Sequence, residues 1–260
     1  MTTQFDCHAH LVDPTFDDDR SEVIARAQNK GVKGIITVGE TYDDALKNLK
    51  LTKQHECLFP CLGLYPTILD LDQAEQIVQL IRENHHLLAG VGEVGLDYWK
   101  VKEEEEREIQ RHIFSMMIEI AMKYDLPLNV HSRSAGRHTI DLLLSKGAGR
   151  VQMHAFDGRY GRAMPAIDAG FFFSIPPSID RSAQKQKLVK NLPLDSLLLE
   201  SDSPVLGPVG NERNEPANIM VSLKAISEIK QLSEDEVANA INENFIRIYG
   251  DQMRWMSKGN

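Results

Sequence analysis

The chain has 260 residues, a length at which an α/β barrel forms a single domain, and 42% of them are hydrophobic while 26% are charged. No apolar run approaches the roughly 18 residues of a membrane span, and the N-terminus lacks the basic and apolar regions of a secretory signal. A net charge of −9 argues against a general polyanion-binding surface, although bound cations can supply positive charge locally. We expect one domain over residues 1–260.

The cysteines indicate the compartment. Cys7, Cys57 and Cys61 form an odd set without the spacing of a disulfide framework, which suits a reducing environment. We therefore expect an intracellular protein in the cytoplasm, with the nucleus as the alternative. Neither membrane association nor an obligate protein partner is expected.

Short apolar segments alternate with longer amphipathic segments along the chain. In chain order, the predicted strands are 3–10, 32–39, 57–66, 87–97, 126–133, 150–156, 170–177 and 196–204. The predicted helices are 20–30, 42–55, 72–84, 103–124, 137–147, 161–170, 181–191, 223–229 and 234–248. Buried strands that alternate with helices pair in parallel, and eight such units close into a ring. The pattern therefore predicts an α/β fold, a (β/α)8 TIM barrel.

Histidine and carboxylate side chains stand toward the C-terminal ends of the predicted strands, where such barrels carry their catalytic face. They are His8 and His10 from strand 1, Glu93 from strand 4, His131 from strand 5, His154 from strand 6 and Asp202 from strand 8. Each by itself is more often a hydrogen-bonded core residue. Together they predict a metal site, and six ligands suit two ions better than one. Imidazoles and carboxylates indicate Zn²⁺, Mn²⁺ or Mg²⁺ rather than Ca²⁺.

Five motifs occur in order between residues 6 and 204: DCHAHL, GEVGLD, VHSR, HAFDG and ESDSP. As an ordered set they resemble the TatD-type metal-dependent deoxyribonucleases of the amidohydrolase superfamily, and the resemblance extends over essentially the whole chain. The runs PCLGLYP, NVHSRSAGR, FFSIPPSI and RNEP are most similar to the TatD domain-containing protein 3 branch. The resemblance implies a barrel of the metallo-dependent hydrolase type, two metal ions and nuclease activity on DNA.

The resemblance also implies how the ligands are divided. The first ion would be held by His8, His10 and Asp202, the second by His131 and His154, and Glu93 would bridge the two. Many amidohydrolases bridge their metals with a carbamylated lysine, whereas Glu93 makes such a modification unnecessary here. Tyr65 departs from the family pattern, which commonly has histidine at this position. We expect this change to alter rate or substrate preference without loss of metal.

Four residues are predicted to act in catalysis: Asp202, Glu93, Arg133 and Glu200. Asp202 would orient or deprotonate a water activated by the two ions. Glu200 would either ligate an additional ion or contact a metal-ligating side chain on the side that faces away from the metal. Arg133 would bind two phosphate oxygens with its guanidinium, and the alternative interpretation is a salt bridge at the rim.

The leading prediction is a deoxyribonuclease that hydrolyses DNA at ends or in single strands, in the manner of an exonuclease. Two alternatives use the same residues. One is a small-molecule amidohydrolase or lactonase, in which the nucleophile attacks carbon instead of phosphorus. The other is a metal-binding protein with weak catalysis that serves as an interaction partner.

Overall fold

A computed structural model describes residues 4–250 and Gln252. These residues form eight β-strands and nine α-helices. The strands are β1 (Gln4–Ala9), β2 (Val32–Thr37), β3 (Leu58–Leu62), β4 (Gly90–Gly95), β5 (Leu128–His131), β6 (Val151–Met153), β7 (Phe172–Ile175) and β8 (Leu197–Leu199). The helices are α1 (Arg20–Asn29), α2 (Tyr42–Thr52), α3 (Leu71–Asn84), α4 (Glu104–Lys123), α5 (Gly136–Lys146), α6 (Tyr160–Asp168), α7 (Ala183–Asn191), α8 (Ile219–Lys230) and α9 (Glu234–Tyr249). The two ends of the predicted 1–260 domain, including residue 3 of the first predicted strand, lie outside the described residues.

The strands pair in parallel, in the order β1 to β8. Contacts between the ends of β1 and β8 bring the two edges of the sheet together. Ala9 and Ser203 form a parallel bridge, the N–H of His10 donates to the carbonyl of Ser203 at 2.8 Å, and the N–H of Asp202 donates to the carbonyl of His8 at 2.8 Å. The sheet is thus a nearly closed barrel, and the predicted (β/α)8 fold is confirmed.

The burial of the strands explains this architecture. Every residue of β3, β4 and β5 is buried, as expected when helices cover the outer face and side chains fill the interior. The helices cover the sheet with one apolar face, as in α3, where Ala74, Ile77 and Ile81 are buried at helical spacing. Among the described residues, none of the helices has both the length and the hydropathy that crossing a membrane requires.

Helix α8 is longer than predicted. It begins at Ile219, four residues before the predicted 223–229 segment, directly after a short 3₁₀ turn, Pro216–Asn218. Ile219 is buried and lies on the same helical face as Leu223 and Ile226, so the apolar face that packs on the barrel includes one more turn.

Gly95 at the end of β4 provides a test of the tight packing between β4 and β5. Its φ is +146°, and an added Cβ would lie 2.0 Å from the carbonyl oxygen of His131. We expect Gly95→Ala to lower the free energy of unfolding by about 3 kcal/mol, because both the backbone conformation and the strand spacing must change. Gly149→Ala is the matched control, since no heavy atom lies within 4 Å of its Cβ position. Urea unfolding compares them, and equal midpoints would contradict the expectation.

Candidate metal centre

The six predicted ligands lie together at the C-terminal ends of the strands. Three of them belong to strands, namely His8 in β1, Glu93 in β4 and His131 in β5. His10 and His154 directly follow β1 and β6, and Asp202 lies three residues after the end of β8. All six are at most 9% exposed, and most of them line a cavity of about 460 Å³. The barrel therefore brings together residues that are almost 200 positions apart in the sequence.

Glu93 is at the centre of this cluster. Its Oε2 lies 3.5 Å from Nε2 of His8 and 3.3 Å from Nε2 of His10. Its Oε1 lies 2.6 Å from Nδ1 of His131 and 3.6 Å from Nε2 of His154. One carboxylate therefore faces two separate pairs of imidazoles with one oxygen each, which is the arrangement expected of a bridging ligand.

Asp202 faces the cluster from the β8 side. Its Oδ1 lies 3.6 Å from Nε2 of His8 and 3.5 Å from Nε2 of His10, and its Oδ2 lies 3.9 Å from Nε2 of His154. The backbone of Asp202 has a φ of +51°, a left-handed conformation that aspartate adopts more readily than most residues. The hydrogen bond from its N–H to the carbonyl of His8 holds this turn, so the closure of the barrel also positions the carboxylate.

The orientation of His8 follows from Asn129. The side-chain N–H of Asn129 donates to the carbonyl of Cys7 at 2.8 Å, so its Oδ1 faces Nδ1 of His8, also at 2.8 Å. Nδ1 must then carry the proton and donate it. The lone pair of His8 is therefore on Nε2, the atom that faces Glu93 and Asp202, and this is the tautomer that binds a metal through Nε2.

His154 is held in the same way by Glu200. Nδ1 of His154 donates to Oε2 of Glu200 at 2.9 Å, which leaves Nε2 facing the cluster. Glu200 is fully buried, and it also accepts hydrogen bonds from the hydroxyl of Ser174 and the N–H of Ala155. Both oxygens of Glu200 are thus used within the protein. Of the two predicted roles, these contacts support the one in which Glu200 orients a ligand.

His131 is held by Asp97, a residue that the sequence analysis did not select. Nε2 of His131 lies 3.2 Å from Oδ2 of Asp97, so Nδ1 faces Glu93. The other oxygen of Asp97 accepts the backbone N–H groups of Trp99 and Lys100 at 2.9 and 2.7 Å. A histidine whose second nitrogen is bound to a carboxylate is a common arrangement around protein metal ions.

The sequence contained a signal for both overlooked residues. Asp97 is the last residue of the GEVGLD motif that includes Glu93. Asn129 stands two residues before His131 in β5, and alternate residues of a strand face the same side. A polar residue on the interior face of a buried strand requires a partner, which here is the ring of His8.

The carboxylates and imidazoles shift one another's pKa values. Burial favours the neutral form of Glu93, but the neighbouring imidazoles, chiefly those of His10 and His131, outweigh it and hold the pKa of Glu93 well below its usual range. Burial lowers the pKa of His131, yet hydrogen bonds to Asp97 and Glu93 raise it to about 9. The pKa of Asp202 is also lowered, because nearby imidazoles outweigh the effect of burial. The centre therefore stabilises ionised carboxylates, which are the forms that bind a cation.

The donor atoms fit divalent metal ions. Ligand atoms lie within 4.8 Å of one another in three groups: His8, His10 and Glu93; Glu93, His131 and His154; and His8, His154 and Asp202. The first two groups share Glu93, and the rings of His8, His131 and His154 are oriented by the neighbouring Asn129, Asp97 and Glu200. Mixed nitrogen and oxygen donors of this kind suit Zn²⁺ and Mn²⁺.

Three further side chains border the cavity. Arg133 is exposed, and its guanidinium carbon lies 3.8 Å from the centroid of the Trp99 ring. It forms no ion pair with any residue in the described part of the chain, which does not support the salt-bridge interpretation. The Tyr65 ring is 5.2 Å from that of His131, edge to face. Lys185 in α7, which the sequence analysis did not select, is only 9% exposed, and burial lowers its pKa.

Known proteins resemble this chain over nearly its full length. A family model described as TatD related DNase matches residues 5–250. The Homo sapiens protein named Deoxyribonuclease TATDN3 is 42% identical, and the match covers 94% of this chain and 93% of that protein. The Bacillus subtilis protein named Uncharacterized metal-dependent hydrolase YabD is 30% identical, with 94% of this chain and 98% of that protein covered.

Solved structures agree with these sequence matches. The crystal structure of YJJV, a TatD homologue from Escherichia coli, has a TM-score of 0.87 and 26% sequence identity, and the match covers 95% of this chain and 98% of the other. The predicted resemblance is thus confirmed in sequence and in fold. The chain belongs to the family of TatD related DNases.

Proposed function

We propose that this protein is a metal-dependent hydrolase of DNA phosphodiester bonds that works with two divalent ions. The observation that carries the proposal is the position of Glu93. Its two oxygens face different imidazole pairs, so one buried carboxylate can serve two ions at once. Metal-dependent hydrolases among the relatives support the use of metal.

The ligands divide into two sets around Glu93. His8, His10 and Asp202 would hold one ion, and His131 and His154 would hold the other. Support for this division comes from the short distances of Asp202 Oδ1 to both His8 and His10. The imidazole-rich donor set makes Zn²⁺ or Mn²⁺ the first choices, with Mg²⁺ as the third.

The chemistry follows from the residues around the cavity. Two divalent ions, when bound, lower the pKa of water and stabilise negative charge on a phosphate. Asp202 lines the cavity and is the carboxylate that would accept the proton of the attacking water. Arg133 at the rim would donate two hydrogen bonds to phosphate oxygens. Glu200 and Asp97 keep the rings of His154 and His131 in fixed orientations.

DNA is the proposed substrate because of the relatives. The family is described as DNases, and the Homo sapiens relative is named a deoxyribonuclease. A concave cavity of about 460 Å³ accommodates part of one strand, which supports cleavage at DNA ends or in single strands. These names favour phosphodiester hydrolysis over the lactonase and interaction-protein alternatives. The likeness to a dihydroorotase from Campylobacter jejuni, at 13% identity and a TM-score of 0.62, shows the fold alone.

Two organisational predictions accompany this function. We propose that residues 1–260 act as one hydrolase domain, since the family match extends from residue 5 to residue 250. We also propose a cytoplasmic location, which the three free, buried cysteines support.

Replacing Glu93 tests the two-ion centre. Glu93→Gln keeps the shape of the side chain but removes the charge shared by both ligand sets. We expect the ion content to fall from two per chain to one or none, and cleavage of single-stranded DNA to fall by more than about 100-fold. Loss of a side chain that only contacts a metal ligand already lowers metal affinity or activity by about 10–100-fold, and Glu93 is a proposed ligand itself. Elemental analysis and a labelled-oligonucleotide assay measure the two effects.

The exposed Glu56 supplies the control for this substitution. Glu56→Gln removes the same charge and should leave both ion content and cleavage unchanged. Chelation of the wild-type protein should abolish cleavage, and Zn²⁺, Mn²⁺ or Mg²⁺ added singly should restore it. Full ion content and normal turnover in Glu93→Gln would contradict the proposed bridge.

Asp97→Asn tests whether the carboxylate behind His131 sets the metal affinity. An asparagine cannot hold the protonated Nε2 of His131 with a full negative charge, so the ring becomes a weaker ligand. We expect metal affinity to fall by about 10–100-fold, with the fold intact. Competition with a fluorescent chelator gives the affinity. Asp141→Asn, in an exposed pair with Arg137, is the control and should match the wild type.

Tyr65→Phe tests the residue that replaces the family histidine. Tyr65 lines the cavity beside His131 but is not one of the proposed ligands. Removing its hydroxyl should lower kcat on DNA about tenfold, the equivalent of one hydrogen bond, and leave the ion content unchanged. Tyr124→Phe, whose ring stacks on His85, serves as the control. A loss of ions in Tyr65→Phe would show that its effect is structural.

A further inference from the structure

A second cavity lies beside the metal centre. It has a volume of about 530 Å³ and lies between the start of α6 and one side of α7. Its walls include Arg159, Tyr160, Gln184 and Lys187. None of these residues belongs to the proposed metal centre, so the cavity needs an explanation of its own.

The two cavities share one wall. Asp157 and Lys185 line the cavity at the metal centre, while their chain neighbours Gly158 and Gln184 line the second cavity. The side-chain amide of Gln184 donates to the carbonyl of Gly158 at 2.9 Å, which joins the two segments. The two cavities are therefore neighbours, with this contact at their boundary.

Helix α7 contributes a cation to each cavity. Lys185 lines the first cavity and Lys187 lines the second. Residues two apart on a helix project about 200° apart around its axis, so the two lysines point to opposite sides of α7. The helix thus presents one lysine to each cavity.

The second cavity differs from the metal centre in its charge. The first cavity is lined by five carboxylates, those of Asp13, Glu40, Glu93, Asp157 and Asp202. The second has Arg159 and Lys187 and no carboxylate among its lining residues, all of which are described. Neither cation forms an ion pair within the described residues. In a protein with a net charge of −9, two such cations in one cavity without a carboxylate, beside the metal centre, favour an anionic occupant.

We propose that the second cavity binds the sugar-phosphate chain of single-stranded DNA next to the bond that is hydrolysed, with Arg159 and Lys187 contacting its phosphates. This inference rests on the proposed DNase function. The amides of Gln184 and Asn191 and the half-buried Tyr160 complete a wall that suits a nucleotide unit. The protein would therefore prefer a strand that extends beyond the cleaved bond over a small phosphodiester.

Binding to a labelled single-stranded oligonucleotide tests this proposal without catalysis. Fluorescence anisotropy of the metal-loaded protein with a phosphorothioate oligonucleotide, which keeps the charge and resists hydrolysis, compares the wild type with the double variant Arg159→Ala and Lys187→Ala. We expect the Kd to rise about tenfold, and the slope of log Kd against log salt to fall by about 1.4, which is the loss of two phosphate contacts to single-stranded DNA. The charge-preserving pair Arg159→Lys and Lys187→Arg should keep most of the affinity.

Lys33 and Lys53 provide the matched control. Both are exposed, neither forms an ion pair within the described residues, and they lie at the start of β2 and just after α2, on the opposite face of the barrel. Lys33→Ala with Lys53→Ala changes the net charge by the same amount and should leave the Kd unchanged. Equal losses in the two alanine pairs, or no binding of the wild type to the phosphorothioate oligonucleotide, would overturn the proposal.

A cleavage assay with added metal separates this inference from the proposed function. In the Arg159 and Lys187 alanine pair, KM for the oligonucleotide should rise about tenfold while kcat and the hydrolysis of bis(p-nitrophenyl) phosphate stay unchanged. If the wild type binds DNA but does not cleave it with any of the three metals, the proposed function fails. If the wild type cleaves DNA and the variant does so with the same KM, only the second cavity's role fails.

Discussion

The structure of the centre depends on one buried carboxylate surrounded by imidazoles. Glu93 is 1% exposed, and an isolated charge at such a position would be strongly disfavoured. Four histidine nitrogens lie within 3.6 Å of its two oxygens and compensate for the lost hydration. Three of these rings, those of His8, His131 and His154, are held in a fixed orientation by Asn129, Asp97 and Glu200, which are buried behind them. The polar interior of the barrel is therefore one connected network around Glu93.

The hydrogen bonds that close the barrel also position ligands of the centre. The hydrogen bonds that join the ends of β1 and β8 use the backbone of His8, His10, Asp202 and Ser203. Three of these residues are proposed metal ligands. A distortion at this seam would therefore move ligands from both sides of the site. The left-handed backbone of Asp202 costs conformational energy. Such strained residues are found at functional sites, where the position of the side chain matters more than local backbone preference.

Charge is distributed unevenly around the catalytic face. The cavity at the metal centre is rich in carboxylates, which disfavours a phosphate unless cations are held there. The second cavity and the exposed Arg133 carry free positive charge on the surrounding loops and helices. In the arrangement proposed here, a strand would be held by the protein's own cations at a short distance from the metal centre. Such an arrangement would let an acidic protein engage DNA over a small area rather than along a basic stripe.

The sequence by itself determined the barrel and the identity of the residues that meet at its rim. Alternating apolar strands and amphipathic helices specify the parallel arrangement, and the spacing of His8 and His10 places both rings on one side of β1. Their role as ligands stays a prediction. Only the tertiary structure decided which side chains orient the histidines. Asn129, which contacts His8, is 121 positions away from it, and Glu200, which contacts His154, is 46 positions away. Such pairings, like the second cavity, depend on how strands and helices that are distant in the sequence pack together. A local sequence pattern does not specify that packing.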